Sequence, residues 1–309
     1  MEASHGTAGP PVGDLRAVLT QLITSAETLA AVGLALTARS GDLELPAGLA
    51  DRVMAVATAV GGDLDNVDAA QLKAMGSLAR AMLAQAAAFS ANPQEPAAWA
   101  VTDPLVLQML GQASAAIGPA IHDHVIPRYR GVADRLAAPD ARVLDVGTGV
   151  GALACAFANL WPATTVVGLD VWPAALDLAR ANIVRAGLVD RVELRQQDVV
   201  TLADDDSYDL VWFAGPFIPE SSLDQALAAV AKATRPGGLV VYGTFGGADP
   251  LHQALADLRV LRSGGPIVTD DAIGERLRAV GLTDVVNVGA DIGLPARFVA
   301  ARRPNTAHR

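Results

Sequence analysis

The sequence predicts an α/β protein built on a doubly wound, mostly parallel seven-stranded sheet, with an all-helical segment before it. Two observations predict this architecture. From residue 142 onward, short apolar runs alternate with stretches whose apolar residues recur at helical spacing, which is typical of repeated strand–helix–strand units. Before residue 142, apolar residues recur at helical spacing alone, as Leu15, Val18 and Leu22 do.

Three segments follow from this pattern: a disordered tail over residues 1–14, a helical segment over residues 15–118 and a sheet domain over residues 119–309. The tail is rich in Gly, Pro and small polar residues. The helices of the second segment have wide apolar faces, and such faces need cover. We therefore expect this segment to form a lid over a ligand pocket and to contribute to a homodimer, with a monomeric helical cap as the alternative.

Composition restricts the class of protein. The chain has 309 residues, of which 51% are hydrophobic and 18% charged, so it can build a sizeable core. Its net charge of −10 disfavours nucleic acid as a partner. A single cysteine permits no intrachain disulfide, which fits a cytoplasmic protein. We find no metal-ligand spacing, no signal pattern and no charge-free apolar run long enough to span a membrane.

A glycine turn at residues 147–151 is the most informative feature of the sheet domain. It joins an apolar strand to a helix, and Asp145 precedes its first glycine by two residues. A dinucleotide would bring its pyrophosphate to such a turn, and a carboxylate would repel it. A ligand with an ammonium group would be attracted instead. The glycines allow a tight turn and a close approach of the backbone to the ligand.

Two further acidic residues end later strands. Asp170 closes the second strand, 19 residues after Gly151, and at this spacing a carboxylate can accept hydrogen bonds from ribose hydroxyls. Asp198 follows the third strand and could accept from an exocyclic amine. The next residues after Asp170 are Val171 and Trp172, which are suited to packing against a purine.

The order of these motifs resembles class I S-adenosylmethionine-dependent methyltransferases, over about residues 120–302. The segments that carry the resemblance are residues 144–151, 168–170, 197–199 and 235–238. The resemblance implies a Rossmann-like fold and S-adenosylmethionine as cofactor, with S-adenosylhomocysteine as product. It implies a cofactor site formed by Tyr129, Asp145, Gly147, Thr148, Gly149, Asp170, Val171, Asp198, Val199 and Ala214.

The turn after the fourth strand departs from part of that family. Some members carry Asn-Pro-Pro-Tyr there and act on nucleobase or glutamine amines, whereas this chain has Ala214-Gly215-Pro216-Phe217. Without an amide side chain, the turn argues against methylation of a nucleic acid or a protein glutamine. We expect a small acceptor that contacts Phe217, Ile218 and Trp99.

A general base is needed only for some acceptors, and His122, His124 and Glu220 are the candidates. Either histidine could equally be a solvated helix residue, and Glu220 could simply favour a helix N-terminus.

The sequence thus predicts a methyltransferase acting on a small aromatic or apolar metabolite by O-, N- or C-methylation, with secondary metabolism as the expected setting. The alternatives are a different reaction on the same cofactor scaffold, a nicotinamide-dependent oxidoreductase, and a non-enzymatic protein that retains the pocket.

Overall fold

The computed structural model describes residues 14–62, 64, 67–94, 104–289 and 294–305. The chain divides into two units, Met1–Gln94 and Glu95–Arg309. The division therefore falls before the expected boundary at residue 118. The reason is that residues 104–116 pack on the helices beside the glycine turn, as described below. Of the expected tail, residues 1–13 lie outside the described part of the chain.

The described residues of the first unit form three helices, α1 (Leu15–Arg39), α2 (Ala47–Gly61) and α3 (Ala69–Ala91). Its small core centres on Ala35, Val53 and Ala57. Helices α1 and α3 approach closely at Gly76, where a Cβ would lie 2.6 Å from the Thr37 hydroxyl oxygen.

The N-terminal half of α1 is exposed on all sides, because residues 14–27 contact too little of the unit to be buried. It carries a stripe of apolar side chains that are 40–59% exposed: Leu15, Val18, Leu19, Leu22, Ile23 and Leu29. Within the described part of the chain, α1 alone is long and apolar enough to cross a membrane by length and composition, which the sequence reading did not expect.

The second unit holds a seven-stranded sheet, as predicted. Its strands are β1 (Arg142–Val146), β2 (Thr165–Asp170), β3 (Val192–Gln196), β4 (Tyr208–Ala214), β5 (Thr234–Phe245), β6 (Thr283–Val288) and β7 (Ala296–Arg302). Its helices are α4 (Pro104–Gln112), α5 (Ile117–Ala120), α6 (Val132–Leu136), α7 (Ala152–Leu160), α8 (Pro173–Arg185), α9 (Glu220–Ala233), α10 (Pro250–Ser263) and α11 (Asp270–Ala279).

The strand order is β3-β2-β1-β4-β5-β7-β6. The first five strands run parallel, and β7 is antiparallel to both of its neighbours, so the sheet is mixed. Strands β2 and β3 are added on one side of β1, whereas β4 and β5 are added on its other side, so the strand order changes direction between β1 and β4. In open sheets of this kind ligands bind at that point, beyond the carboxyl ends of the strands.

Successive side chains along each strand point to opposite faces of the sheet, and both faces are buried. One face carries Val143, Trp212 and Phe298 and is covered mainly by α7. The other carries Phe213 and Tyr242 and is covered by α9 and α11. Such double burial is expected where helices cover both faces of a sheet.

Tyr129 lies against β6 and β7, not near the glycine turn. Its hydroxyl lies 2.8 Å from the carbonyl oxygens of both Asp284 and Ala300, to which it donates. These carbonyls lie where the β6–β7 register shifts between Thr283 and Val286. Burial raises the pKa of the Tyr129 hydroxyl, which therefore stays protonated as a donor. The sequence placed Tyr129 in the cofactor site, whereas the structure places its hydroxyl on β6 and β7, and β7 is separated from β1 by two strands.

We expect Tyr129→Phe to lower the free energy of unfolding of the second unit by about 1–3 kcal/mol, because the buried Ala300 carbonyl and the partly buried Asp284 carbonyl lose their donor. All four tryptophans lie in the second unit, so their fluorescence during urea unfolding measures this change. The affinity for a ligand at the glycine turn should stay unchanged. A variant with normal stability and weakened ligand binding would contradict this role of Tyr129.

Candidate cofactor and acceptor site

The glycine turn is held against the end of β2 by its own backbone. The amides of Gly147 and Thr148 both donate to the Leu169 carbonyl, each at 2.9 Å. Gly147, Gly149 and Gly151 have φ angles of 77°, 55° and 76°, a region that side chains disfavour. A Cβ on Gly149 would meet no atom within 4 Å, so this part of the turn borders open space. The turn therefore leaves room for a ligand beside its backbone.

Asp145 is buried at the carboxyl end of β1, with only 1% of its surface exposed. Its Oδ2 atom accepts a hydrogen bond of 2.7 Å from the Thr148 hydroxyl, whereas Oδ1 is buried and has no hydrogen-bond partner in the described part of the chain. Burial, with a smaller contribution from Asp170, raises the pKa of this carboxyl to about 7. An unpartnered oxygen on a buried carboxyl is costly, so a cationic ligand group would bind favourably here.

Asp170 connects the glycine turn to the end of β2. Its two carboxylate oxygens accept from the backbone amides of Gly149 at 2.8 Å and Trp172 at 2.9 Å. Burial raises the pKa of Asp170, and these two amides oppose the rise. Each carboxylate oxygen has a further lone pair, so Asp170 can still accept from ligand hydroxyls. The neighbouring Val171 is exposed, as a wall for a flat ligand would be.

Asp198 lies at the end of β3 and is exposed. Its Oδ1 atom accepts from the Val200 amide at 3.1 Å and caps the short helical turn Val199–Thr201, in which Val199 is buried. Its other carboxylate oxygen accepts no hydrogen bond from the residues that the structure describes. Asp198 lies at the same edge of the sheet as Asp145 and Asp170, because each of the three is at or just beyond the carboxyl end of a parallel strand.

The turn after β4 supplies an aromatic wall. The Phe217 ring meets the Phe245 ring edge to face, with centroids 6.3 Å apart and an interplanar angle of 77°. Ala214, just before this turn, packs against the glycine turn, since a Cβ on Gly147 would lie 3.2 Å from its methyl. Ile218 packs instead with the core on the α9 side. Trp99 lies outside the described residues.

The structure places the two candidate histidines away from this wall. The His122 ring lies 6.3 Å from the Trp161 ring, directly after the last residue of α7. Helix α7 begins at the glycine turn, so nine residues, about 14 Å of helix, separate Trp161 from the turn. His124 follows two residues later and is exposed. Neither is placed to act as a base at the carboxyl ends of the strands.

Glu220 does lie at the right edge of the sheet, in the first turn of α9, but its carboxylate pairs with Arg276 at 2.5 Å. Arg276 also reaches Asp224 at 3.3 Å, which joins α11 to α9. The contacts thus favour the reading of Glu220 as a helix-terminal acid. In the part of the chain that the structure describes, no three His, Cys, Asp or Glu side chains cluster to hold a metal ion.

A reciprocal amide pair, which sequence reasoning missed, supports the outer side of the glycine turn. Asn182 of α8 donates to the Val150 carbonyl at 2.9 Å and to Gln108 Oε1 at 3.0 Å, and Gln108 donates back to Asn182 Oδ1 at 3.1 Å. These polar partners are 74 residues apart, so no local pattern could have identified them. Gln108 belongs to α4, which explains why residues 104–116 belong to the second unit.

Comparisons with known proteins agree on the central part of this unit. A family model described as a methyltransferase domain matches residues 143–238. The chain is similar to a release factor glutamine methyltransferase of Rhodopirellula baltica, with 34% identity over 134 residues, which are 43% of this chain and 45% of that protein. The chain spans about half the length of the curated relatives it matches.

Two solved structures extend the likeness of fold to nearly the whole chain. An O-methyltransferase family protein from Burkholderia thailandensis gives a TM-score of 0.71 at 18% identity, covering 97% of this chain and 100% of that one. The mitomycin 7-O-methyltransferase MmcR gives a TM-score of 0.66 at 17% identity, covering 94% and 98%. At these identities the likeness concerns the fold.

The raised pKa of Asp145 makes the stability of the ligand-free protein depend on pH. A carboxyl whose pKa rises on folding destabilises the folded state progressively as pH increases from its unfolded value toward about 7. Between pH 5 and pH 8, the wild type should lose about 2–3 kcal/mol of unfolding free energy relative to Asp145→Asn. Urea unfolding followed by tryptophan fluorescence measures this difference.

The exposed Asp177, changed to Asn, is the matched control and should not alter the pH dependence. Parallel curves for the wild type and Asp145→Asn would mean that Asp145 stays ionised in the folded protein.

Proposed function

We propose that the chain is a class I S-adenosylmethionine-dependent methyltransferase and that it transfers the methyl group of that cofactor to a small, flat, aromatic or apolar acceptor. The observation that carries this proposal is the arrangement at the strand ends. A buried acidic residue with one unpartnered oxygen lies under the glycine turn, and an aromatic wall follows the adjacent strand β4.

Each acidic residue suits a different part of the cofactor. The unpartnered Oδ1 of Asp145 suits the ammonium group of the methionine end, because a buried charge needs a counter-charge. Asp170 suits the ribose hydroxyls, for which its remaining lone pairs are acceptors. Asp198 keeps an exposed oxygen for the adenine amine, and the exposed Val171 suits the purine face.

The cofactor supplies a sulfonium methyl group that is attacked in line by the acceptor nucleophile. The positive charge on sulfur disappears in this step, so an apolar surrounding does not oppose it. Phe217 and Phe245 provide such surroundings at the end of β4 and β5. Alignment of the reactants by these walls would account for much of the rate.

A small acceptor is favoured over a protein glutamine, even though curated relatives of this chain act on release factors. The turn after β4 carries no side-chain amide or carboxylate from Ala214 to Ile218 that could hold an amide nitrogen. Its Gly215 is packed on the Tyr242 ring, so the turn has no space for a larger residue there. The similar fold of an enzyme that methylates mitomycin supports an acceptor from secondary metabolism.

Calorimetric titration tests the cofactor assignment. We expect micromolar binding of S-adenosylmethionine and S-adenosylhomocysteine and no binding of NAD or NADP. Asp170→Ala should weaken binding of both sulfur ligands at least about tenfold, because it removes the ribose acceptor and the anchor of the glycine turn. Asp177→Ala, which changes an exposed carboxylate on the adjacent helix, should bind normally.

The acceptor class is tested by incubating the enzyme and cofactor with phenols, aromatic amines and a glutamine-containing release factor peptide. Mass spectrometry should find the mass of one added methyl group on an aromatic compound. Methylation of the peptide alone would contradict the small-acceptor proposal. Binding of a dinucleotide alone would contradict the cofactor.

The exposed half of α1 supports a second proposal, that two copies of this chain associate through it. Residues 15–29 form about 22 Å of helix, and their apolar stripe is unpartnered in the described unit. A stripe on one helix can meet its own copy across a twofold axis, which is the usual symmetry of homodimers.

Leu19→Glu combined with Ile23→Glu should convert the dimer to a monomer, because the charges would be buried in the interface. Light scattering after size exclusion measures the mass. Val184→Glu changes an equally exposed residue on α8 and should leave the dimer intact. A wild-type monomer that binds phospholipid vesicles through α1 would contradict the dimer and assign the stripe to a membrane surface.

A further inference from the structure

Thr148 directs its side chain into the protein, not toward the open side of the glycine turn. It is buried, and its hydroxyl donates to Asp145 Oδ2 at 2.7 Å. The side chain occupies the place that Gly168 leaves empty on β2, because a Cβ on Gly168 would lie 2.7 Å from the Thr148 hydroxyl oxygen. The glycine on one strand therefore makes room for the threonine that contacts the acid on the next.

Among the described residues, the Thr148 hydroxyl makes the one side-chain hydrogen bond that orients the Asp145 carboxyl. In the sheet register its neighbours are Gly168 on β2 and Trp212 on β4. Asp170 and Cys155 are the titratable groups that interact with it electrostatically, and neither supplies a positive charge. The backbone amide of Ala154 in α7 also favours the ionised form. Oδ1 remains buried and unpartnered among the described residues.

We propose that Thr148 is a positioning residue, which holds Asp145 so that Oδ1 meets the cationic group of the cofactor, and that cofactor binding releases the Asp145 proton. This inference rests on the proposed function. In the ligand-free protein the carboxyl carries a proton on its unpartnered side at pH values below about 7. When the ammonium group arrives, the proton leaves for solvent and the carboxylate and ammonium remain as a pair.

Physical reasoning supports both parts of the proposal. A buried carboxylate with a bare oxygen is less stable than the neutral acid, and burial does raise the pKa of Asp145 to about 7. A cation at that oxygen reverses the preference and drives ionisation. The Thr148 hydroxyl favours the ionised form in either state, so its removal makes the proton harder to displace.

Thr148→Val removes the hydroxyl and keeps the shape of the side chain. Calorimetric titration with S-adenosylhomocysteine in two buffers of different ionisation enthalpy counts the protons released from pH 5.5 to 7.5. The wild type should release about one proton at pH 5.5 and about half a proton at pH 7. Thr148→Val should still release about one at pH 7.5 and bind about tenfold more weakly there, whereas Thr148→Ser should restore the wild-type profile.

Two controls separate this role from a structural one. Thr164→Val removes another buried threonine hydroxyl, which donates to the Leu136 carbonyl at the opposite edge of the sheet, and it should leave the proton count unchanged. Asp145→Asn should abolish proton release. Proton release that persists in Asp145→Asn, or a Thr148→Val profile equal to the wild type, would overturn the inference while the cofactor assignment stands. A wild-type protein that binds neither sulfur ligand would overturn the proposed function and this inference with it.

Discussion

A buried carboxyl group at the carboxyl end of β1 is the constraint around which the rest of the site is arranged. Asp145 is almost fully buried, and one of its oxygens has no hydrogen-bond partner among the described residues. The glycine turn, the anchoring of that turn by Asp170 and the inward-facing Thr148 all surround this group. A fold does not retain an uncompensated buried acid for stability, because such a group costs free energy unless something else pairs with it.

At the opposite edge of the sheet, where the same strands begin, another buried acidic residue has a structural role. Asp209, at the start of β4, has a side chain only 2% exposed. Its two oxygens accept from Arg135 at 3.1 Å, Arg235 at 2.6 Å and the Arg142 amide at 2.9 Å. Both acids are buried in the sheet, but Asp209 is satisfied by the protein and Asp145 is not. We therefore assign a structural role to the edge of the sheet that holds Asp209 and ligand binding to the edge that holds Asp145.

Ion pairs also hold the elements next to the turn that carries Phe217, where we propose that the acceptor binds. Arg276 joins α11 to Glu220 and Asp224 of α9, and Arg297 of β7 pairs with Asp270 at 2.8 Å. The pairs of Arg276 tie α11 to the start of α9, which follows the turn that carries Phe217. They fasten the helices that support the wall, so Glu220 serves the architecture of the site through Arg276. The amide pair of Gln108 and Asn182 supports the cofactor side in the same way, from outside the turn.

The sequence by itself determined the seven strands, the glycine turn and the positions of Asp145, Asp170 and Asp198 at strand ends, because alternation, helical spacing and turn chemistry are local properties of the chain. Only the tertiary structure decided which residues from distant segments of the chain contact one another. His122 lies at the far end of α7 because the preceding segment runs along that helix, as the contacts of Gly111 with Val150 and of Gly118 with Leu160 demonstrate. Tyr129 binds carbonyls 155 and 171 residues away. Even Thr148, three residues from Asp145, turns inward only because Gly168 of another strand leaves space for it. Packing between strands and helices selects such partners, and no pattern within a single segment encodes it.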